Sequence, residues 1–172
     1  RLMDMECSNA GVYDGGTALY EALMMAVRHT RRKKAVVSET VSPIYRIVLA
    51  TYTKNLHLDL VVVPHKNGLD DFEALTDAVD GDTAAIVVQN PNFFGSVQDF
   101  TALFAHARGK GAVSVISCYP VLQTVLRTPG AMGADIATAE GQSLGLPLSF
   151  GGPYLGIMTC KKSLVRQMPG RI

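Results

Sequence analysis

Cysteine is scarce in this sequence. Cys7, Cys118 and Cys160 are odd in number and scattered, which excludes a disulfide framework, suits a reducing cytosol and offers no Cys/His spacing of a zinc site. No metal ligands are therefore expected. Charge of one sign is not in excess either. The net is +1, which gives no pull toward nucleic acid or an anionic membrane. No apolar run approaches the length that spans a bilayer, and no signal peptide is visible. An initiator methionine is missing too: the chain opens at Arg1 and stops at "MPGRI", so it is expected to be a piece of something longer. One further absence is local. From Thr138 to Tyr154 the chain reads "TAEGQSLGLPLSFGGPY", with small residues, hydroxyls, one acid, one amide and a Gly-Gly-Pro turn, yet no lysine, histidine or cysteine. It has the make-up of an active-site loop without the group that reacts.

What is present is ordinary globular material, 48% apolar and 18% charged over 172 residues, enough for one domain with a sizeable core. From Gly16 to His29, Ala18, Ala22, Met25 and Ala26 repeat at helical spacing. Arg28, Arg31, Arg32, Lys33 and Lys34 follow. They read as a solvated helix end that complements the dipole, or as a nucleic-acid patch, which the rest of the composition does not support. "SPIYRIVLATYTKN" places Ile44, Ile47, Val48 and Tyr52 at helical spacing, with Pro43 in a first turn. "LDDFEALTDAV" does the same through Phe72, Leu75 and Val79, and "SVQDFTALFAHARGKG" through Phe100, Leu103, Phe104 and Ala107. Between these helices stand the short apolar runs "KAVVS", "DLVVVP", "TAAIVVQNP" and "AVSVIS". That alternation predicts a largely parallel sheet. "ADIATA" and "YLGIMTC" complete six expected strands, and "YPVLQTVL" and "KKSLVRQM" read as short helices. Because the loop between the last two strands lacks a helical pattern, the last strand is expected to run antiparallel to its neighbour.

Ligands of such sheets sit beyond the carboxyl ends of the strands. The loops expected there are "QNPNFFG", "SCYP", the Thr138–Tyr154 stretch and the segment before the first helix. In that segment Asp14, Gly15, Gly16 and Thr17 are either a helix cap with its turn or a cradle for phosphate on free backbone N–H groups. Asn90 opens an Asn-Pro turn, and Phe93 and Phe94 are packing residues or part of a subunit contact. Gly151 and Gly152 make a tight turn or let another chain's ligand come close. Glu140 is a general base if buried, or a hydrogen-bonded structural acid. Cys118 is a strand-end nucleophile or a free buried thiol. His29, His57, His65 and His106 have no partner at metal-ligand spacing.

Together "YDGGTALYEALMMA", "VVQNPNFFG", "PGAMGADIATAEGQSLGLPLSFGGPYLGIM" and "VRQMPGRI" resemble the P-protein family of the glycine cleavage system, glycine dehydrogenase (decarboxylating), and within it the subunit 1 branch. The resemblance spans nearly the whole chain. It implies an α/β, three-layer fold: the large domain of a fold-type-I pyridoxal phosphate (PLP) transferase, residues 1–172, with a mostly parallel sheet and one antiparallel strand. The family's N-terminal arm and small C-terminal domain are expected to be absent.

The resemblance also implies what the loop is missing. Superfamily members carry a lysine there that forms the Schiff base with PLP; Gln142 lies near that position, and an amide nitrogen cannot form an imine. Where they place an aspartate against the pyridine nitrogen, this chain has Ser117. No catalytic residue is therefore expected in this chain, and Asp14, Gly15, Gly16, Thr17 and Asn90 would be the remains of a degenerate cofactor pocket. PLP is expected on a lysine-bearing subunit 2, within a cytoplasmic heterotetramer that decarboxylates glycine and passes the aminomethyl group to the lipoyl arm of H-protein. Phe93, Phe94, Gly151 and Gly152 are expected at the subunit interface, and the isolated piece is expected to self-associate. Three alternatives stay open: a self-sufficient PLP enzyme related to aminotransferases or desulfurases, an anion-binding module on the degenerate fold, and the amino-terminal half of a single-chain P-protein.

Overall fold

In the computed structural model, which describes residues 1–170, the chain runs β1 (Cys7–Ser8), α1 (Gly15–Thr30), β2 (Lys34–Ser38), α2 (Pro43–Thr53), β3 (Asp59–Val63), α3 (Phe72–Ala78), β4 (Thr83–Asn90), α4 (Thr101–Gly109), β5 (Val113–Cys118), α5 (Pro129–Met132), β6 (Ile136–Glu140) and β7 (Gly156–Cys160). Short 3₁₀ turns cover Val121–Thr124, Gln142–Leu144 and Lys162–Gln167. The strands form one sheet in the order β1-β7-β6-β5-β4-β2-β3. β2 to β6 pair in parallel, and β7 is antiparallel to both β6 and β1. One strand of seven thus runs against the rest, as expected of the strand after the long loop. The expected set of six lacked β1, whose two residues join the sheet through the register Cys7↔Cys160 and Ser8↔Thr159.

Alternation along the parallel strands builds two cores, because successive side chains leave opposite faces of the sheet. On one face Ala35, Val37, Ala85, Val87 and Val115 meet Leu19, Leu23 and Met25 of α1 and Leu49 of α2. On the other Val36, Ile86, Val88 and Ile116 meet Leu75 of α3 and Phe100, Leu103 and Phe104 beside and within α4. The result is helix, sheet, helix. Burying each large apolar side chain contributes about 1.5–3 kcal/mol.

The helix stripes of α1 and α4 face the sheet, as their periodicity predicts: Ala18, Ala22, Met25 and Ala26 are buried, and so are Phe100, Leu103, Phe104 and Ala107. α2 differs. The helix forms, but its apolar stripe points outward: Ile44 is 70% exposed, Ile47 64% and Tyr52 54%, while Leu49 and Thr53 turn inward.

Two members of the basic cluster after α1 are tied up locally. Lys34 pairs with Asp80 at 2.6 Å, and Arg32 Nη1 donates to the carbonyls of Thr83 and Lys110. These are structural contacts at the strands' amino ends, far from the loops that could hold a ligand.

Candidate functional site

The carboxyl ends of the parallel strands gather the loops singled out in the sequence. The start of α1 joins them, because the chain leaving β1 pairs Val12 with Gly156 at the entrance to β7. Asp14 caps α1 from an extended conformation. Its Oδ1 accepts from the Thr17 N–H at 2.7 Å and its Oδ2 from the Thr17 hydroxyl at 3.1 Å. Such a cap satisfies one of the helix's free donors.

A second carboxylate completes that helix end from far along the chain. Glu140 closes β6, and its Oε2 accepts from the Gly15 N–H at 2.9 Å. Its Oε1 accepts from the N–H groups of Leu155 at 2.8 Å and Gln142 at 3.0 Å. One side chain therefore ties the first turn of α1 to both ends of the loop between β6 and β7. Both its oxygens are engaged by backbone donors, so Glu140 is a structural acid rather than a free base. Gly15 is required by this approach: a Cβ there would run into the Tyr45 hydroxyl and stand 3.1 Å from the Glu140 backbone nitrogen.

Next to this junction lies a cavity of about 530 Å³, bounded by Asp14 and Glu140 and by the rings of Tyr45, Phe93 and Tyr154. Among the described residues, no lysine, arginine or histidine lines it. Burial, then the negative charges of Glu140 and Asp14, push the Tyr45 phenol up to about 12. The phenol thus stays protonated at neutral pH.

The other flagged residues distribute around this cavity. Asp14, Gly15, Gly16 and Phe93 line it, and Thr17 sits one turn in as the partner of the cap. Asn90 does not line it. Its side chain is buried and clasps the loop after β4, donating to the Gln98 carbonyl at 3.1 Å and accepting from the Gln98 N–H at 3.2 Å. Ser117 is buried in β5, in register with Gln89 and Thr138. Gln142 lies in the turn after β6, and its amide donates to the Leu146 carbonyl at 3.3 Å. Phe93 and Phe94 are exposed, Phe94 resting edge-on against His65 at 4.7 Å. Gly151 is exposed, and Gly152 lies over Gln142. Beside them Leu148 is largely exposed and Phe150 projects fully into solvent. Cys118 is buried, and burial alone pushes its thiol up to about 12, so no thiolate nucleophile is present at neutral pH.

Three residues escaped the sequence reading. Asn92 lies 5% exposed and holds the Phe93–Ser96 turn, its Oδ1 accepting from the N–H groups of Phe94 and Ser96 and its Nδ2 donating to the Gly68 carbonyl. Gln89 accepts from the Ser42 N–H at 2.9 Å. Tyr45 was hidden because its neighbours carry the apolar stripe. Asn92 was within reach, since it lies in the "QNPNFFG" loop.

This lining does not fit PLP. An imine needs an amine, and among the described residues no lysine faces the cavity. A phosphate at the start of α1 would find the amides of Gly15 and Thr17 taken and would face two carboxylates.

The model of the glycine cleavage system P-protein family matches residues 1–172. A relative in Solidesulfovibrio magneticus, named "Probable glycine dehydrogenase (decarboxylating) subunit 1", is 98% identical over the whole of this chain. One of the same name in Nitratidesulfovibrio vulgaris is 68% identical. The chain spans 39% of the length of each of these curated relatives. Among solved structures, an inhibitor-bound glycine decarboxylase (P-protein) of the glycine cleavage system superposes with a TM-score of 0.92 at 44% identity, over 99% of this chain and 38% of that one. A methionine gamma lyase from Micromonospora echinospora shares the fold alone, with a TM-score of 0.75 at 16% identity, over 96% of this chain and 43% of that one.

Proposed function

The chain belongs to the glycine cleavage system P-protein family, and on that basis we propose that it is part of the non-catalytic subunit of a two-chain glycine decarboxylase. The reading is carried by one conjunction. A relative 98% identical over the full chain is named as subunit 1, and Gln142 stands where the resemblance places the Schiff-base lysine, with no lysine among the described residues lining the cavity beside the start of α1. PLP and its lysine then belong to subunit 2. When bound there, PLP supplies the electron sink that lets glycine lose its carboxylate. This chain walls that site and shapes the approach of the lipoyl arm of H-protein, which takes the aminomethyl group.

Its own residues have architectural work. Asp14 and Glu140 hold the start of α1 against the loop after β6. Asn90 and Asn92 fix the turn that displays Phe93 and Phe94. The loops from Asn9 to Thr17, Asn90 to Gly95 and Gln142 to Gly152 face the partner, with Phe93, Phe94, Gly151 and Gly152 at the contact. The scattered free cysteines suit a cytoplasmic assembly.

The test is reconstitution. Glycine decarboxylation measured as carbon dioxide exchange should need both full-length subunits, and a Gln142→Lys variant of this chain alone should remain silent. If this chain alone forms a borohydride-trappable link to PLP and decarboxylates glycine, it is a self-sufficient enzyme and the proposal fails.

A further inference from the structure

The misfit between this cavity and PLP has an identifiable cause. We propose that the Glu140 carboxylate is a built-in anion: it occupies the amino end of α1, closes that end to phosphate, and uses the same hydrogen bonds to fasten the loop between β6 and β7.

The amino end of a helix attracts anions because its first N–H groups lack partners and its dipole is positive there. Here two of those groups, on Gly15 and Thr17, are already served. Asp14 takes the Thr17 N–H within the capping turn. Glu140 takes the Gly15 N–H although it lies 125 positions further along the chain. A carboxylate brought from so far is not a local cap. It reaches Gly15 only because β6 ends beside α1, and because Gly15 has no side chain to hold it off. Its other oxygen accepts from Gln142 and Leu155, which bracket the loop. Two consequences follow from this one geometry. An incoming phosphate would have to displace a carboxylate from Gly15 while standing beside Asp14. A Glu140 released from Gly15 would in turn loosen its hold on both ends of the loop. Among the described residues, no basic side chain lines the cavity to offset the repulsion. The inference concerns this chain's own junction and holds whichever reaction the assembly performs.

Two measurements on the full-length polypeptide test it. Site-resolved hydrogen exchange should find the amides of Gly15, Gln142 and Leu155 protected. In Glu140→Ala, which removes both acceptor oxygens, all three should exchange at least tenfold faster, with Thr17 unchanged because Asp14 still holds it. Exchange of those amides in the unsubstituted protein at the rate of an unstructured peptide overturns the proposal, and so does equal acceleration of Thr17. The second measurement is calorimetric titration with inorganic phosphate and with PLP. The unsubstituted protein should give no saturable binding, and Glu140→Ala should gain at least tenfold in phosphate affinity. Saturable phosphate binding by the unsubstituted protein, or no gain in Glu140→Ala, overturns it. A failed reconstitution of decarboxylation touches neither result, so the two proposals stand or fall separately.

Discussion

Gly15 has no room for a methyl group. Gly15→Ala forces the new carbon against the Tyr45 hydroxyl and the Glu140 backbone, so we expect a loss of about 1–3 kcal/mol in chemical denaturation, the usual cost of overpacking. Tyr45 itself gives a pH signature. Its folded-state value is raised to about 12 by burial and then by Glu140 and Asp14, whereas the unfolded phenol titrates near about 10. The folded state therefore binds the proton more tightly. This contribution is fully present below pH about 10 and is lost as pH rises from there through about 12. Because the ring is partly exposed, the loss should be about 1–2 kcal/mol rather than the full two units' worth. Denaturant melts of the native protein and Tyr45→Phe across that window check it; the variant should show a shallower decline. At this scale legibility followed sequence distance. The Asp14 cap was readable because its partner is three residues away. The Glu140 contact to Gly15 was not, since no local pattern announces an acceptor 125 positions off.

Elements were legible where their pattern repeated. Phe100, Leu103, Phe104 and Ala107 keep helical spacing and all pack inward, and Phe104 stacks on Phe100 at 5.8 Å. Phe104→Ala should accordingly cost about 3–5 kcal/mol, seen as a lower denaturation midpoint with an unchanged slope. β1 could not be foreseen, because two residues carry no period and exist as a strand only through β7. α5, at Pro129–Met132, is likewise too short to announce itself. α2 shows the other limit. Periodicity identifies an apolar stripe but not what covers it, and the residues that face the sheet are Leu49 and Thr53 instead.

Across the whole molecule, large apolar side chains collect on the rim at the strands' carboxyl ends. Phe93, Tyr154, Leu148 and Phe150 are all more than half exposed, and Ile44 and Ile47 extend the patch along α2. Scattered singly such residues mean little, but contiguous patches mark contact surfaces. The chain by itself should therefore self-associate in sedimentation velocity as concentration rises, and Leu148→Ser with Phe150→Ser should reduce that tendency. A monomer at every concentration would count against the patch as a docking face. Fold class and sheet polarity were legible here, because alternating apolar runs and amphipathic helices leave few topologies open. The acidic, lysine-free character of the cavity was half legible: the missing amine was visible in the Thr138–Tyr154 stretch, and the fastening by Glu140 was not.

The reversed direction of β7 has a last consequence. A connection to a parallel strand would have had to travel back along the sheet before re-entering it. The segment from Gly141 to Leu155 instead leaves and returns at one rim, pinned at both feet by a single carboxylate. Its crest can lengthen, shorten or change chemistry while the slab beneath keeps its register. Such a hairpin can change what it presents without disturbing the strands that carry it.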